Sequence, residues 1–323
     1  MRVLVTGGAG YIGSITTRTL LDAGHEVVVL DTLEKGRREA VDPRATLIVG
    51  DVGDGALVGS ALDGADAVMH LAGYSEVAES QADPARYFDN NVIRPRAMLA
   101  AMAQQGVECL VFSSTAAVYG EPESIPILED APTVPVNAYG ESKLAFEREL
   151  DRAAAGWGLR SVRLRYFNVA GAWPDGSLGE AHEPETHIIP RILGSIAAGE
   201  RSFEVFGDDY PTRDGTCVRD YIHVCDLARA HVRAIELLHA GGPGAVCNLG
   251  NGRGFSNLEV VAACGSVTGA PIGVTFGPRR PGDPAVLVAS AEKAEELLGW
   301  TPLRGDLLGM ISDAWEWCQS SVR

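Results

Sequence analysis

Val3-Leu4-Val5-Thr6-Gly7-Gly8-Ala9-Gly10-Tyr11-Ile12-Gly13 reads as an apolar strand, a glycine turn and the first turn of a helix. A short apolar run that ends in glycine has the pattern of a buried strand. The glycines at 7, 10 and 13 then divide three tasks. One permits the tight turn, another lets backbone N–H groups approach an anion at the helix N-terminus, and the third lets helix and strand pack closely. The spacing is GxxGxxG rather than the commoner GxGxxG, with the same mechanics. Asp31 closes the next strand, Glu26–Leu30. A carboxylate there accepts from both ribose hydroxyls and repels a 2′-phosphate, which points to NAD rather than NADP. Arg37 and Arg38 lie further along and read as a solvated face.

Working outward, further strands are expected at Thr46–Val49, Ala67–Leu71, Glu108–Ser113 and Leu159–Tyr166. Helices are expected over about Tyr11–Ala23, Asn90–Gln105 and Ala138–Ala154. Strands alternating with helices of this length require parallel pairing, so the expected fold is α/β, a doubly wound, Rossmann-like parallel sheet. Composition shifts after Asn168, and Gly171 to Glu185, rich in Gly, Pro, Asp and Glu, reads as a loop. The expected organisation is a dinucleotide-binding domain over 1–168 and a smaller α/β substrate domain over 169–323, with about 218–245 returning to the first.

The chain has 323 residues, 46% hydrophobic and 22% charged, enough apolar content for a core. Its formal charge of −16 repels nucleic acid and anionic membranes, so neither is an expected partner. An anionic substrate therefore needs a local basic pocket. No apolar run approaches the roughly 18 residues of a membrane span, and the opening residues lack a signal-peptide core. The six cysteines form no CxxC pair and no cluster at metal spacing. They read as thiols of a cytoplasmic protein, and no metal is expected.

Tyr139-Gly140-Glu141-Ser142-Lys143 stands near the start of an expected helix, with Asn137 as its N-cap. Tyr139, Lys143, Phe146 and Leu150 fall on one helical face. A tyrosine with a pKa of about 10 is a poor base at neutral pH. An ammonium one turn away favours the phenolate, as does the positive nicotinamide ring, and the pair becomes a usable acid/base. Phe112-Ser113-Ser114-Thr115 ends the fifth strand, where a hydroxyl can reach a ligand beyond the sheet. An incidental tyrosine–lysine spacing and an ordinary turn-forming hydroxyl remain alternatives for each motif alone.

Taken in order, these motifs resemble the extended short-chain dehydrogenase/reductase family, and its UDP-glucose (UDP-galactose) 4-epimerase branch in particular. The resemblance also rests on His70-Leu71-Ala72-Gly73, Asp89-Asn90-Asn91-Val92, Ser113-Ser114-Thr115-Ala116-Ala117-Val118-Tyr119-Gly120 and Arg165-Tyr166-Phe167-Asn168. Phe206-Gly207-Asp208-Asp209-Tyr210-Pro211-Thr212, the run Asp214 to Val224, Arg280-Pro281-Gly282-Asp283 and Leu298-Gly299-Trp300 extend it to about residue 302.

The resemblance implies that Tyr139 is the acid/base, that Lys143 tunes it, and that Thr115 supplies the catalytic hydroxyl. It implies that Gly7, Gly10, Tyr11, Ile12 and Gly13 cradle the NAD pyrophosphate and that Asp31 holds the adenine ribose. Asp51 and Val52 would flank the adenine; Leu71, Ala72, Gly73, Asn90 and Phe167 would line the cofactor. Asn168, His187, Phe206, Arg219, Arg280, Asp283 and Leu287 would hold a UDP-sugar. The implied reaction removes the 4-hydroxyl proton as C4 gives hydride to NAD, and returns the hydride to the other face. The family also implies a homodimer. Three positions depart from its pattern: Ser75 replaces a common lysine, His187 an asparagine, and Leu287 a bulky tyrosine of some bacterial members. The last two bear on sugar preference, because a smaller residue at 287 leaves room for an N-acetyl group on C2. A nucleotide-sugar 4,6-dehydratase or decarboxylase stays open as an alternative, although Ala116-Ala117 replaces the Asp-Glu pair typical of the dehydratases. A non-catalytic NAD-binding regulator is the alternative from another class.

Overall fold

The computed structural model describes residues 1–280 and 282–321. Its first half runs β1 (Arg2–Thr6), α1 (Tyr11–Asp22), β2 (Glu26–Asp31), β3 (Thr46–Val49), α2 (Gly55–Ala61), β4 (Ala67–His70), α3 (Val77–Ala82), α4 (Pro84–Phe88), α5 (Pro95–Gln105), β5 (Cys109–Thr115), α6 (Ala138–Trp157) and β6 (Arg160–Tyr166). The chain continues through β7 (Asn168–Ala170), α7 (Ile188–Ala197), β8 (Ser202–Phe206), β9 (Val218–His223), α8 (Val224–His239), β10 (Ala245–Leu249) and β11 (Gly254–Ser256). It ends with α9 (Asn257–Thr268), β12 (Gly273–Gly277), β13 (Val286–Leu287), α10 (Glu292–Leu298) and α11 (Leu307–Ser321).

Alternation along the strands dictates the layers. Val3 and Val5 face one core with Val27 and Val29, while Leu4, Val28 and Leu30 face the other. The first core is covered by α1, α8 and α10 through Leu20, Leu227, Ile235 and Ala294, and by Trp300 just beyond α10. The second is covered by α2, α5 and α6 through Val58, Met98, Met102, Phe146 and Leu150. Between them lies a seven-stranded sheet ordered β10-β6-β5-β4-β1-β2-β3, with every pairing parallel. The fold is therefore the expected doubly wound α/β type. The strand order reverses at β1, so the crevice beyond the carboxyl ends of β1 and β4 is where a ligand belongs.

Two features differ from the sequence reading. The stretch Asn90–Gln105 is not one helix: Asp89–Ile93 forms a π-helical turn, and Pro95 opens α5 at a position where its missing N–H costs nothing. The sheet also has a seventh strand from far along the chain, β10, which pairs with β6. Segment α8 packs on α1 and on β4, β5 and β6.

Beyond Tyr166 the chain steps directly from the large sheet into a small one. There β9 pairs in parallel with β7 and β13 and antiparallel with β11. Strands β8 and β12 pair separately. Helices α7, α9 and α11 enclose a third core around Ile192, Leu193, Val260 and Met310. No helix among the described residues is long and apolar enough to cross a membrane.

Candidate active site

Contact distances explain why the β1–α1 turn needs glycine. Gly7 has φ +75°, and a Cβ there would lie 2.5 Å from the Ala72 backbone nitrogen at the end of β4. A Cβ on Gly13 would lie 2.0 Å from the Gly7 carbonyl oxygen. Gly10 has ordinary room, with 3.5 Å to the same oxygen, and stands at the N-cap of α1 without any side-chain cap. The first N–H groups of α1 have no partner within the helix, which makes this terminus an anion site. The Asp31 carboxylate accepts the Ala9 N–H at 2.9 Å on one oxygen and the Leu33 N–H at 2.8 Å on the other. A carboxylate offers about four lone-pair sites, so acceptor capacity remains for a ribose. A cradle that only glycine permits, an open helix terminus and this carboxylate fit a dinucleotide. Asp51 pairs with Arg94 at 2.6 Å, and Val52 is buried beside it.

The candidate acid/base pair, Tyr139 and Lys143, is built by α6. Asn137 caps the helix by accepting the Gly140 N–H at 2.8 Å. Phe146 and Leu150 are fully buried in the second core. Their anchoring turns Tyr139 and Lys143, on the same face, toward the carboxyl ends of the strands. Lys143 is 5% exposed, and its Nζ donates to the Ser113 carbonyl at 3.1 Å. Burial pulls its pKa down to about 8. The Tyr139 phenol is pushed above its ordinary value by burial and then by Tyr166, while a hydrogen bond from Thr115 opposes the shift. Thr115 also caps the following turn, accepting the Ala117 N–H at 3.1 Å.

These groups open into one cavity of about 590 Å³, within the range of small-molecule sites. Every residue assigned above to catalysis, cofactor or substrate lines it, from Gly7 and Asp31 through Thr115 and Tyr139 to Arg280, Asp283 and Leu287. Pro281 lies outside the described residues. On the far wall, buried Arg219 is ion-paired with Asp283 and donates to the Val218 carbonyl at 2.9 Å. The Arg280 guanidinium stacks 4.3 Å from the centre of the Phe206 ring. Arg219 and Arg280 thus place guanidinium groups on the cavity wall, a chemistry that suits an anionic ligand. Leu287 pairs in register with Arg219. Asn168 sits in β7 and Phe167 just before it, where the chain changes sheets.

Some assignments look different in three dimensions. The Tyr11 hydroxyl is spent on the Gly171 carbonyl at 2.6 Å, so this side chain ties the turn to the loop after β7. His187 has its Nδ1 between Glu180 and Glu185. It belongs to a cluster of Glu180, His182, Glu185 and His187 that the sequence reading did not assemble. Burial notwithstanding, the histidines hold the Glu180 carboxyl at about 2, well below its ordinary range.

Other residues received no role from the sequence, even where they stand inside a quoted motif. Asn91, next to the assigned Asn90, accepts the Tyr74 N–H at 2.8 Å and donates to the Tyr74 carbonyl and the Ser142 hydroxyl, both at 3.0 Å. It fixes the segment after β4 against α6. Beneath the catalytic face, Glu147 accepts from Arg165 at 2.9 and 2.5 Å and from Ser114 at 2.6 Å. Arg165 continues to Tyr119, and Tyr119 to Asn248 on β10. The pattern that could have exposed this network is a charged residue at a core position of α6.

The chain is similar to known proteins in sequence and in backbone. A model of the NAD dependent epimerase/dehydratase family matches residues 3–250. A UDP-glucose 4-epimerase of Lacticaseibacillus casei is 53% identical over 98% of this chain and 96% of its own. A UDP-glucose 4-epimerase from Brucella ovis, solved in complex with NAD, is 44% identical, with a TM-score of 0.94 and 97% of each chain covered. One from Stenotrophomonas maltophila, with bound NAD and formylated UDP-arabinopyranose, is 41% identical, with a TM-score of 0.96 over 100% of this chain and 99% of its own. Agreement this complete, over sequence and backbone alike, makes the chain a member of the NAD dependent epimerase/dehydratase family.

Proposed function

We propose that the chain is an NAD-dependent nucleotide-sugar 4-epimerase that interconverts UDP-glucose and UDP-galactose. The observation that carries this reading is the convergence of Tyr139, Lys143 and Thr115 with the glycine cradle, Arg219 and Arg280 around one cavity. Full-length likeness to UDP-glucose 4-epimerases supports the substrate class.

Bound NAD supplies the hydride acceptor and donor. Tyr139 takes the 4-hydroxyl proton and later returns it, with Thr115 hydrogen-bonded to its phenol. Lys143, held on Ser113 and one helical turn from Tyr139, supplies a positive charge that favours the phenolate of a phenol raised by burial. Arg219 and Arg280, with Asn168, Phe206 and Asp283, hold the UDP-sugar, so that binding energy from the remote diphosphate positions C4. Leu287 lines the cavity and is smaller than a tyrosine, and the reading includes the N-acetyl sugars.

The wider setting is inferred in the same way. Residues 1–168, with 218–245, serve the cofactor and the remainder the substrate, supported by the packing of α8 on the large sheet. All six cysteines are free, in keeping with a cytoplasmic setting. A homodimer is inferred from the family.

The deciding experiment incubates purified protein, without added cofactor, with UDP-glucose, UDP-galactose, their N-acetyl counterparts and dTDP-sugars. Interconversion of the UDP-hexoses without net NADH supports the reading. A dehydrated 4-keto product, or no conversion of any sugar, overturns it. Tyr139→Phe should abolish conversion while NAD stays bound.

A further inference from the structure

The loop between β7 and α7 gathers two imidazoles and two carboxylates. Glu180, His182, Glu185 and His187 each present one donor atom, and these four atoms lie within 4.8 Å of one another. Nδ1 of His187 is 2.8 Å from Oε1 of Glu180 and 2.9 Å from Oε1 of Glu185. Nδ1 of His182 is 3.0 Å from the same Glu180 oxygen and 3.8 Å from Oε2 of Glu185. We propose that this cluster binds one divalent transition-metal ion, zinc foremost, through two nitrogens and two oxygens.

Donor chemistry is the first argument. Imidazole and carboxylate together suit zinc, whose structural sites are four-coordinate. Two carboxylates and two neutral imidazoles carry two negative charges, matching a divalent ion. Spacing is the second argument. Ligands about 2.05 Å from a tetrahedral ion stand roughly 3.4 Å apart. The four donor pairs given above, 2.8 to 3.8 Å apart, bracket that value, so small side-chain adjustments admit the ion.

The surroundings hold these ligands in place. The Glu185 Oε1 accepts the backbone N–H groups of Thr186 and His187, each at 2.8 Å. The Glu180 carbonyl accepts the Trp317 indole N–H at 2.7 Å. Gly179 packs so closely on that indole that a Cβ would lie 2.3 Å from its Cγ. Orientation of ligands by such partners is what a tight site needs. The His182 and His187 side chains remain 28% and 38% exposed, which leaves an entry path, while Glu180 is 9% exposed. Glu180, His182 and His187 line the substrate cavity, and Thr186 bonds across it to Glu76. A bound ion would therefore pin one wall of that cavity.

The test uses full-length, untagged protein, stripped with a chelator, loaded with zinc chloride and desalted. About one zinc per chain should remain by mass spectrometry, and cobalt(II) in its place should give the visible absorption of a low-coordinate site. The His182→Gln/His187→Gln variant should lose about nine-tenths of the retained zinc while keeping its circular dichroism. Should that variant misfold, Glu185→Gln decides by the same criterion. A wild type that retains no zinc, or a folded variant that retains as much as the wild type, overturns the proposal.

Discussion

Nζ of Lys143 lies 3.1 Å from the carbonyl oxygen of Ser113 and 6.0 Å from the centre of the Tyr139 ring. The ammonium is thus anchored on the end of β5, with the Tyr139 ring one helical turn away, and the proposed tuning of the phenol is through space. Lys143→Met should remove the charge and leave the fold. Its kcat should fall by about a hundredfold, and its kcat–pH profile should move to higher pH because the phenol loses the cation one helical turn away. Turnover within threefold of wild type, with an unmoved profile, would exclude this role.

Gly13→Ala places a methyl group 2.0 Å from the Gly7 oxygen. Protein purified from this variant should carry little NAD and unfold in urea about 1–3 kcal/mol more readily. Gly156→Ala, in α6 with nothing within 4 Å, is the control and should gain about 1 kcal/mol. Equal cofactor content in both variants would remove the close-approach argument.

Leu287→Tyr restores bulk on β13 beside Arg219. UDP-N-acetylhexosamine conversion should fall by about tenfold or more relative to UDP-hexose conversion, since a bulky residue rejects by steric exclusion. Rates that change in parallel for both sugar sets would count against gatekeeping at this position.

His70 is buried, with Nδ1 2.7 Å from Oγ1 of Thr6. Burial, and then the Lys143 charge, lower its pKa from 6.5 to about 3. Between those values the unfolded chain binds a proton that the native state refuses, so stability falls as pH falls through that window. The slope is about 1.4 kcal/mol per pH unit. Urea unfolding of wild type and His70→Gln across this range should show the wild-type advantage shrinking at that rate. Parallel curves would show that His70 does not titrate in this way.

The parts of the site that could be read from sequence are those whose chemistry sits within one local pattern. Gly7 to Gly13 and Tyr139 with Lys143 are each specified by a single turn or helical face. Arg219, Arg280 and Asp283 were reached only through resemblance to a family, because nothing local marks an arginine as buried. The union of β10 with β6 joins residues such as Cys247 and Leu164, far apart in sequence, and no periodicity reports it. Glu147 sits on the buried side of α6, where polarity alone reads as solvent exposure, and only Arg165 and Ser114 show why it is there. The Glu180–His187 cluster lies in an aperiodic loop whose shape depends on Trp317 of α11.

Because β10 closes the edge of the large sheet beside β6, the two lobes are not separable modules. A fragment ending at Asn168 would leave β6 with a bare row of amide groups and would strip α8 from the apolar face it covers. Such a piece should aggregate rather than fold. Grafting a foreign second half onto residues 1–168 would have to carry over the returning helix and strand as well, so changed side chains around the cavity disturb the fold less than exchanged halves.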